Sequence, residues 1–504
     1  MSPQYILAID LGTTGEKCVI YDLRGNPVAE EYREIETIYP GPGAAEIRSD
    51  DFFKLTCINI KSCLEKSRIN PAEIAVISID SLMGGVIGID KNFNAVTYYD
   101  TAMDSRSGDE SRYIMKNFGD LVLEYCGSYS IWGHKILYWK KKNEWKSIYK
   151  FVQPAAFVGA KLTGLSGKDA YIDQSFLGFS SLADLRNSQW SEELCEKLEI
   201  GIDKLPKIIN STDIVGQTST KISDLTGLPA GIPVCAGCGD VAAGYVGAGI
   251  LNAGDVADIS GTANILSVNL DSFTSHRHFA NMKSPINDSY YLLVSHVLGG
   301  RTLKWFADEF YSELRQKVEK EKRSIYEYLD LEAEKVSPGS HGLIAIDDLQ
   351  GRFFPPDPNM RGLFIGHTWS HKKIYFYRSI LEAIAYDYYL GIDILRNLSP
   401  GLRLKEIAAV GSGSRSKMWL QIKADVLQIP FKTLQRSDLS TLGAAVIGAY
   451  SVGLIKDIKA YLGEILKTGF IVNPTEAGFG KYSKCVDLYI DAISNLNPYF
   501  AKLV

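Results

Sequence analysis

Short apolar runs alternate with helical patterns along the first part of the chain. Residues 5–10 and 17–22 form two such runs on either side of a polar turn, which predicts a strand, a turn and a second strand. Residues 51–67 carry apolar side chains at helical spacing, whereas 74–80 and 85–89 are brief apolar runs typical of buried strands. This alternation predicts an α/β architecture.

The opening pattern returns halfway along the chain. Residues 256–268 repeat the order of apolar strand, turn and apolar strand, with Gly261-Thr262 in the place of Gly12-Thr13. We interpret the two similar hairpins as a sign of internal duplication. They predict two domains with the same core, residues 1–249 and residues 250–504.

Just before this repeat, residues 234–240 predict a strand that ends at Gly239 and Asp240. A helix over 241–249 should follow, and because it contains hardly a bulky side chain, close backbone packing is implied.

The second half continues with helical patterns and a further strand. One helical stripe is predicted from Leu303, Phe306, Phe310 and Leu314. A long helix over 374–395 follows, and then a strand over 407–410, a glycine-rich turn over 411–414 and a helix over 415–427. The last three elements form a common seat for a phosphate or nucleotide.

The composition suits a globular protein of several domains. At 504 residues the chain is longer than one hydrophobic core supports, and 46% of its residues are apolar and 22% charged. The formal net charge is −5 and the lysines and arginines are scattered, so we predict no nucleic-acid partner and favour small molecules.

The apolar runs and cysteines predict a cytoplasmic location. The opening MSPQYILAID lacks a basic segment followed by a long apolar stretch, and no window approaches the roughly 20 apolar residues that cross a bilayer, so no membrane association is expected. Dispersed cysteines indicate reduced thiols. We interpret the pair Cys235 and Cys238 as core residues beside a tight turn in preference to zinc ligands.

The turn Gly12-Thr13-Thr14 has the chemistry of a phosphate site. Glycine admits the close approach of another group, and the turn can direct backbone N–H groups and two hydroxyls toward an anion. Such turns are also common as plain connections, so the first turn alone leaves both interpretations open. The second turn at Gly261-Thr262 favours phosphate binding, because two turns across a cleft can grip the β- and γ-phosphates from both sides.

Two aspartates at strand ends are candidates for catalysis. Asp10 ends the first strand, where its carboxylate could hold a hydrated Mg²⁺ or simply hydrogen-bond the turn. Asp240 follows Gly239 at a strand end, where clefts open in parallel sheets. A carboxylate there can accept the proton of an attacking hydroxyl or cap the following helix, and both roles can hold together.

Five segments carry a further signal: YILAIDLGTTGEKCVIYD, AGCGDVAAGYVGAG, DISGTAN, GRFFPPDPNMRGLFIG and GSGSRSKMWLQIKADVLQIP. In this order, and over nearly the whole chain, they resemble the FGGY family of carbohydrate kinases. The resemblance implies two actin-like (ribonuclease-H-like) ATPase domains, with ATP and Mg²⁺ in the cleft between them. It also implies that the domains close over a sugar or polyol.

The resemblance implies roles for single residues. It makes Asp240 the general base, Asp10 the carboxylate on the Mg²⁺ side, and Arg106 structural. Phosphate and nucleotide binding fall to Gly12, Thr13, Thr14, Lys17, Gly261 and Thr262 at the hairpins, and to Gly300, Gly411, Ser412 and Ser416 around the adenosine. The substrate residues are Met83, Gly84, Asp104 and Asp240. Catalysis then needs only positioning and charge, with Asp240 taking the hydroxyl proton.

Several positions depart from the family pattern around the sugar. Met83 and Gly84 stand where glycerol kinases have an Arg-Glu pair, so glycerol is disfavoured. Gly84 also stands where xylulokinases have His, and Ala102 where the family has Trp. The loss of large side chains predicts either a wider pocket, for a bulkier or phosphorylated polyol, or refilling of the space by Trp132 or another aromatic residue.

Together these patterns predict an ATP-dependent carbohydrate kinase, most similar to the xylulokinase branch, that phosphorylates a ketopentose or related polyol. A kinase for a sugar acid or another larger polyol, of gluconate or autoinducer type, is the alternative among enzymes and would need a cation near Asp104 or Met83. A non-catalytic actin-like ATP-binding regulator is the alternative from another class, and the presence of Asp10, Asp240 and both hairpins argues against it. Apolar stripes outside the two cores would suit a homodimer.

Overall fold

The computed structural model describes residues 4–500 and Lys502, and it contains two α/β halves. The strands of the first half are β1 (Tyr5–Leu11), β2 (Gly15–Asp22), β3 (Pro27–Glu34), β4 (Glu46–Ile47), β5 (Ile74–Ser81), β6 (Ile87–Ile89), β7 (Tyr99–Asp100), β8 (Lys150–Val152), β9 (Tyr171–Asp173), β10 (Ala183–Asp184), β11 (Gln189–Trp190), β12 (Lys207–Ile209), β13 (Ile214–Gln217), β14 (Pro233–Cys235) and β15 (Cys238–Gly239). Its helices are α1 (Ser49–Ser67), α2 (Gly108–Cys126), α3 (Gly133–Lys140), α4 (Pro154–Thr163), α5 (Glu192–Lys197), α6 (Thr220–Thr226) and α7 (Asp240–Gly247).

The strands of the second half are β16 (Val256–Ser260), β17 (Asn264–Leu270), β18 (Ala280–Lys283), β19 (Tyr290–Val297), β20 (Ile344–Ile346), β21 (Leu363–Ile365), β22 (Ile407–Val410), β23 (Phe431–Leu434) and β24 (Thr468–Val472). Its helices are α8 (Gly299–Phe310), α9 (Ser312–Lys320), α10 (Ile325–Ala333), α11 (Lys373–Leu398), α12 (Lys417–Leu427), α13 (Leu439–Ser451), α14 (Ile458–Ile465) and α15 (Gly478–Phe500). Within the described part of the chain, no helix has the length and apolar character required to span a membrane.

Each half contains one large mixed sheet, and the two sheets are built alike. The strand order is β3-β2-β1-β5-β14-β13 in the first and β19-β17-β16-β22-β23-β24 in the second, with β15 and β18 added to them. In both orders two antiparallel pairings are followed by two parallel pairings and a final antiparallel one. This repeat confirms the duplication predicted from the two hairpins.

Helices cover both faces of the first sheet. Side chains alternate between the faces of a strand, so Ile6 and Ala8 of β1 join an apolar cluster with α7 and α13, whereas Leu7 and Ile9 join another with α1. The alternation places Asp10 on the same face as Ala8. The acidic end of β1 is therefore directed toward α13.

The two halves meet where α7 crosses α13. Although α13 lies in the second half of the sequence, it packs on β1 and β5 of the first sheet. The helix backbones touch: a Cβ on Gly247 would lie 1.9 Å from the carbonyl oxygen of Leu439, and one on Gly443 would lie 1.8 Å from that of Ala243. The small residues of α7 thus serve close backbone packing, as predicted. The domain boundary after residue 249 stays a prediction.

A second contact between the halves lies at Asn281 on β18. Its backbone N–H donates to Oγ of Ser128 over 2.6 Å, and the Ser128 hydroxyl donates to the Asn281 carbonyl over 3.1 Å. The side-chain Nδ2 of Asn281 donates to the carbonyl of Gly127 over 2.9 Å. The contact between the halves therefore extends beyond the crossing of α7 and α13.

We expect Gly247→Ala to destabilise the protein, because the added methyl group would meet the carbonyl of Leu439. Overpacking of this kind costs about 1–3 kcal/mol of unfolding free energy. Gly244→Ala is the matched control on α7: its Cβ would meet no described atom beyond its own helix within 4 Å, so stability should stay equal or rise by up to about 1 kcal/mol. Chemical denaturation measures both, and equal stabilities would contradict the close crossing.

Several predicted elements have different bounds in the structure. The strand predicted over 234–240 is divided into β14 and β15, and the helix predicted over 241–249 is α7, which begins and ends earlier. The stripe from Leu303 to Leu314 does not lie on one helix, because Tyr311 leaves helical geometry with φ −134° and separates α8 from α9. The strand predicted over 85–89 is the shorter β6, and the helix predicted over 415–427 is α12, which begins two residues later.

Candidate active site

The first glycine-threonine turn connects β1 and β2, as predicted. The Gly12 N–H donates to the carbonyl of Gly15 over 3.0 Å, which closes the turn. Thr13 and Thr14 are exposed at its tip. Their hydroxyls stand at the end of the sheet, where an anion can reach them.

Lys17 lies on β2, directly opposite Asp10 of β1. Its ammonium nitrogen is 2.9 Å from Oε2 of Glu30, and both side chains are partly exposed. An exposed ion pair is worth at most about 1 kcal/mol, so the ammonium group can leave Glu30 for a bound phosphate.

The second turn connects β16 and β17 in the same way. The Gly261 N–H donates to the carbonyl of Ala263 over 2.9 Å, and Thr262 is exposed. The start of α8 lies against this turn: a Cβ on Gly300 would be 1.9 Å from the Gly261 carbonyl oxygen, and the Gly300 N–H donates to Oδ1 of Asn264 over 3.0 Å. Only glycine fits at position 300 without moving the turn.

A cavity of about 370 Å³ lies beside the second turn. Five residues predicted to bind phosphate or nucleotide line it: Gly261, Thr262, Gly300, Ser412 and Ser416. Gly411 is not among its described lining residues; with φ +88° and a Cβ position 2.4 Å from the Ser260 carbonyl oxygen, it shapes the turn that carries Ser412. The Ser416 hydroxyl accepts the N–H of Trp419 over 3.1 Å, so Ser416 also caps α12.

Sequence reasoning missed other residues that line this cavity, among them Lys304, Tyr326, Glu327, Asp330, Tyr377 and Trp419. The Tyr377 hydroxyl donates to Oδ1 of Asp330 over 2.8 Å, and burial raises the pKa of Asp330. Glu327 and Asp330 offer acceptors suited to ribose hydroxyls. These residues come from amphipathic helices whose local pattern carries no functional signal.

Three carboxyl groups meet at the carboxyl ends of β1, β5 and β15. Asp10 on β1 pairs with Asp80 on β5, and Asp80 pairs with Cys238, two residues before Asp240. Asp80 is fully buried, whereas Asp10 and Asp240 are partly exposed. Asp80 was missed because it closes an ordinary apolar run. The signal that could have found it is that parallel strands bring their carboxyl ends to one edge.

Few donors face these three carboxyl groups. Oδ2 of Asp10 accepts the hydroxyl of Ser440 on α13 over 3.0 Å, and Oδ1 of Asp240 accepts the N–H of Val241 over 2.8 Å. The carboxyl group of Asp80 shares a hydrogen bond with that of Asp10, in which the protonated Asp80 is the donor.

Burial and like charge oppose ionisation of these groups. Burial raises the pKa of Asp240 to about 7, and the charge of Asp10 adds to the shift. Burial also raises the pKa of Asp10. Burial, and then the charges of Asp10 and Asp240, raise the pKa of Asp80 well above its usual range. A carboxyl group with a pKa near neutrality, such as Asp240, is suited to accept a proton from a hydroxyl.

The helix-capping interpretation of Asp240 is wrong. Gly239 is the N-cap of α7, with extended φ −67° and ψ 144°, and Asp240 is already the first helical residue. Oδ1 of Asp240 accepts the N–H of the next residue, Val241. Its second carboxylate oxygen stays available to a ligand.

Gly84 and Ala102, which depart from the family pattern on the substrate side, lie close together. A Cβ on Gly84 would be 2.4 Å from the Cβ of Ala102, so the two segments pack directly against each other. Trp132 donates its indole N–H to the carbonyl of Phe176 and lies in the core. The close approach of the chain at Ala102 therefore leaves no room for a side chain at position 84. Met83 packs on the residue before Asp240, because a Cβ on that glycine would lie 2.4 Å from its sulfur.

Asp104 is held within the protein. Its Oδ2 accepts the N–H of Ala45 over 3.0 Å, and Nη2 of Arg106 lies 2.7 Å from the same oxygen. Arg106 also bonds to Glu46, in keeping with the structural role expected for it. Asp104 is only 8% exposed, so its contact with the sugar stays a prediction.

Two copies of one sheet, each with a glycine-threonine turn, and a ligand-sized cavity at the second turn define a two-domain protein of the actin-like ATPase class. Models of the N-terminal and C-terminal domains of the FGGY family match residues 5–247 and 260–452. The chain belongs to the FGGY family of carbohydrate kinases, as its sequence segments predicted. It is thus a phosphotransferase with an alcohol group as acceptor, and the family implies ATP as the donor.

Relatives and solved structures cover the whole chain. It is 26% identical over 497 residues to a xylulose kinase of Staphylococcus epidermidis, covering 97% of this chain and 96% of that protein. It is 25% identical over 508 residues to a gluconokinase of Bacillus subtilis, covering 99% and 97%. The structure of ligand-bound xylulose kinase from Lactobacillus acidophilus superposes with a TM-score of 0.89 at 23% identity, covering 99% of this chain and 100% of that one, which supports the fold.

Proposed function

We propose that the chain transfers the γ-phosphoryl group of ATP to a hydroxyl of a ketopentose or closely related polyol, with Asp240 as the general base. The observation that supports this most is the setting of Asp240. Asp240 is partly exposed directly after β15, the charge of Asp10 acts on it, and burial raises its pKa to about 7. Such a group can take the proton of a hydroxyl as the hydroxyl attacks a phosphate.

A magnesium ion fits beside Asp10. The carboxylate is a hard oxygen donor at the end of β1, and Asp10 is partly exposed there, beside the first turn. No set of three or more His, Cys, Asp or Glu side chains in that range could hold a metal ion by itself. Magnesium in kinases is commonly held by one or two carboxylates together with phosphate oxygens and water. When bound, it would neutralise phosphate charge.

The other proposed residues bind and orient the donor. Gly12, Thr13, Thr14 and Lys17 would contact phosphates from the first domain, and Gly261 and Thr262 from the second. Gly300, Gly411, Ser412 and Ser416 would hold or shape the nucleoside site beside the cavity. The Ser440 hydroxyl fixes the orientation of Asp10, because it donates to Oδ2 over 3.0 Å. The proton of the substrate hydroxyl passes to Asp240.

A sugar acid is the second candidate substrate, since a gluconokinase is among the relatives. Its carboxylate would need a cation near Asp104 or Met83. The nearby Arg106 bonds to Asp104 and Glu46, and the buried Lys135 ammonium donates to two backbone carbonyls over 2.8 and 2.5 Å. Both cations are thus engaged, which favours an uncharged ketopentose or polyol.

A substrate panel tests the proposed function. ADP release should be measured with Mg²⁺ and ATP against ketopentoses, other polyols and sugar acids. We expect a ketopentose to raise ATP turnover most. A greater rate with a sugar acid would select the second candidate, and no stimulation by any compound would favour the non-catalytic regulator. Sedimentation of the same preparation would test the proposed homodimer.

The reaction should depend on pH through Asp240. The base must be ionised to accept a proton, and its pKa is raised to about 7. We therefore expect kcat/KM to fall about tenfold per pH unit below this pKa and to level off above it. Initial rates with the best substrate across this range measure the profile. A rate independent of pH there would contradict the base assignment.

A further inference from the structure

Tyr99 is a buried aromatic residue beside the segment predicted to bind the substrate, and the proposed function gives it no role. It lies on β7 and is fully buried. Its ring meets that of Phe52 on α1 edge to face, with 5.8 Å between the ring centres. A Cβ on Gly85 would lie 2.8 Å from Cε2 of the same ring. The ring therefore packs both on α1 and on the segment that carries Gly84.

The hydroxyl group of Tyr99 faces the backbone of this segment. The N–H groups of Gly84 and Gly85 are directed toward its oxygen, and neither bond reaches ordinary hydrogen-bond geometry. Glycine has the greatest backbone freedom of all residues, so two consecutive glycines need outside contacts to keep one orientation. The ring and the hydroxyl of Tyr99 supply such contacts.

The same segment connects Tyr99 to the proposed base. Met83 comes directly before Gly84, and its sulfur would lie 2.4 Å from a Cβ on the glycine that precedes Asp240. Burial, and then the charges of Asp100 and Asp240, raise the pKa of the Tyr99 hydroxyl well above its usual range, so Asp240 lies within electrostatic reach of it. A continuous set of contacts therefore runs from the Tyr99 ring through this segment to the start of α7.

We propose that Tyr99 is a positioning residue for phosphoryl transfer, which fixes the backbone of Gly84 and Gly85 and so orients the substrate hydroxyl toward Asp240. The inference rests on the proposed function and on the substrate-side role predicted for Gly84. Because position 84 has no side chain, it can act on the substrate only through its backbone groups. A shift of about 1 Å in such a contact can cost about 100-fold in rate. Tyr99 itself is fully buried and acts through the segment.

This role differs measurably from support of the fold alone. A residue that only supports the fold changes the unfolding free energy, and the rate of the folded enzyme stays the same. A residue that orients the acceptor lowers kcat, whereas the KM for ATP stays the same, because the cavity at the second turn lies in the other half. The division of the loss between kcat and the KM values therefore reports the role of Tyr99.

The experiment compares initial rates of ADP formation by the full chain and by Tyr99→Phe, with Mg²⁺, ATP and the best substrate of the panel. Phenylalanine keeps the ring and removes the hydroxyl. We expect kcat to fall about 10- to 100-fold and the KM for ATP to change by less than about twofold. A loss confined to the KM for the substrate would overturn the inference, because the segment would then contribute to binding and not to orientation.

Tyr171→Phe is the matched control. Tyr171 is also a buried tyrosine of the first half, 3% exposed, and its hydroxyl makes no hydrogen bond of ordinary geometry within the described part of the chain. Its oxygen faces α4, where a Cβ on Gly159 would lie 2.4 Å away, so its replacement should leave kcat unchanged.

Circular dichroism shows whether each variant is folded. If Tyr99→Phe is not, Tyr99→Met also removes the hydroxyl and should lower kcat with the same KM for ATP. Equal kcat values in the folded Tyr99 variant and in Tyr171→Phe would overturn the inference while leaving the kinase proposal intact. Failure of the wild type to form ADP with any substrate of the panel would instead overturn the proposed function, and the inference with it.

Discussion

Asp240→Asn is expected to lower kcat for substrate-dependent ADP formation by about 10²- to 10⁴-fold. Asparagine has nearly the same shape as aspartate, but its side chain cannot take the proton of the attacking hydroxyl. The N–H of Val241, which Asp240 accepts over 2.8 Å, can still bond to the amide oxygen, so the start of α7 should be kept. A coupled assay for ADP, with the best substrate of the panel, measures the loss.

Two controls distinguish loss of the base from a general loss of structure or of nucleotide binding. Asp184→Asn, the same exchange at the buried aspartate that ends β10, should keep nearly full kcat. ADP binding in Mg²⁺ should persist in Asp240→Asn, because the cavity at the second turn lies in the other half. If Asp240→Asn retained substrate-dependent turnover within a few-fold of the wild type, Asp240 would not be the base.

Lys423→Met is expected to cause the largest loss of stability, about 3–5 kcal/mol of unfolding free energy. The Lys423 ammonium nitrogen lies 2.6 Å from Oδ2 of Asp258 and 2.8 Å from Oγ of Ser260, and both charged side chains are fully buried. Methionine fills the space but leaves Asp258 without its cation. Since Asp258 lies on β16 just before the second turn, the loss should also weaken ADP binding.

Lys432→Met provides a matched comparison on strand β23 of the same sheet. Its partner Glu406 is partly exposed, so water can replace the ion pair and stability should change by less than about 1 kcal/mol. Urea denaturation of both variants, followed by circular dichroism, measures the difference. Equal losses in the two variants would show that burial of the Lys423 pair has no special cost.

Short-range sequence patterns were sufficient to predict the two hairpins and the close packing of α7. The apolar runs around Gly12 and Gly261 are short, and their pattern alone indicates two strands joined by a turn. The small side chains of α7 likewise indicate close backbone packing without any knowledge of the partner helix. The same local reasoning could not decide the role of Asp240, because a cap and the first helical residue differ by one position. The structure assigns the cap to Gly239.

Features that depend on pairing between distant segments could not be predicted from the sequence. Asp80 can be recognised as part of the candidate site only because β5 lies beside β1 in a register that places Asp80 next to Asp10. The contact between Gly84 and Ala102 likewise joins two loops. The sequence showed only that two large side chains are missing, which suggested a wider pocket, whereas in the structure the two loops approach each other. Acidic residues of the cavity beside the second turn, such as Asp330, lie on helices whose burial pattern looks ordinary.

The crossing of α7 and α13 links the carboxylate proposed for the metal side to the boundary between the halves. Ser440 belongs to the first turn of α13, and its hydroxyl donates to Oδ2 of Asp10 on the first sheet. The backbones of the two helices touch at the crossing, and a contact this close leaves little room for one helix to shift against the other. We therefore expect Asp10 to keep its orientation when the cleft changes width, so that the bound ligands move relative to a carboxylate that stays in place.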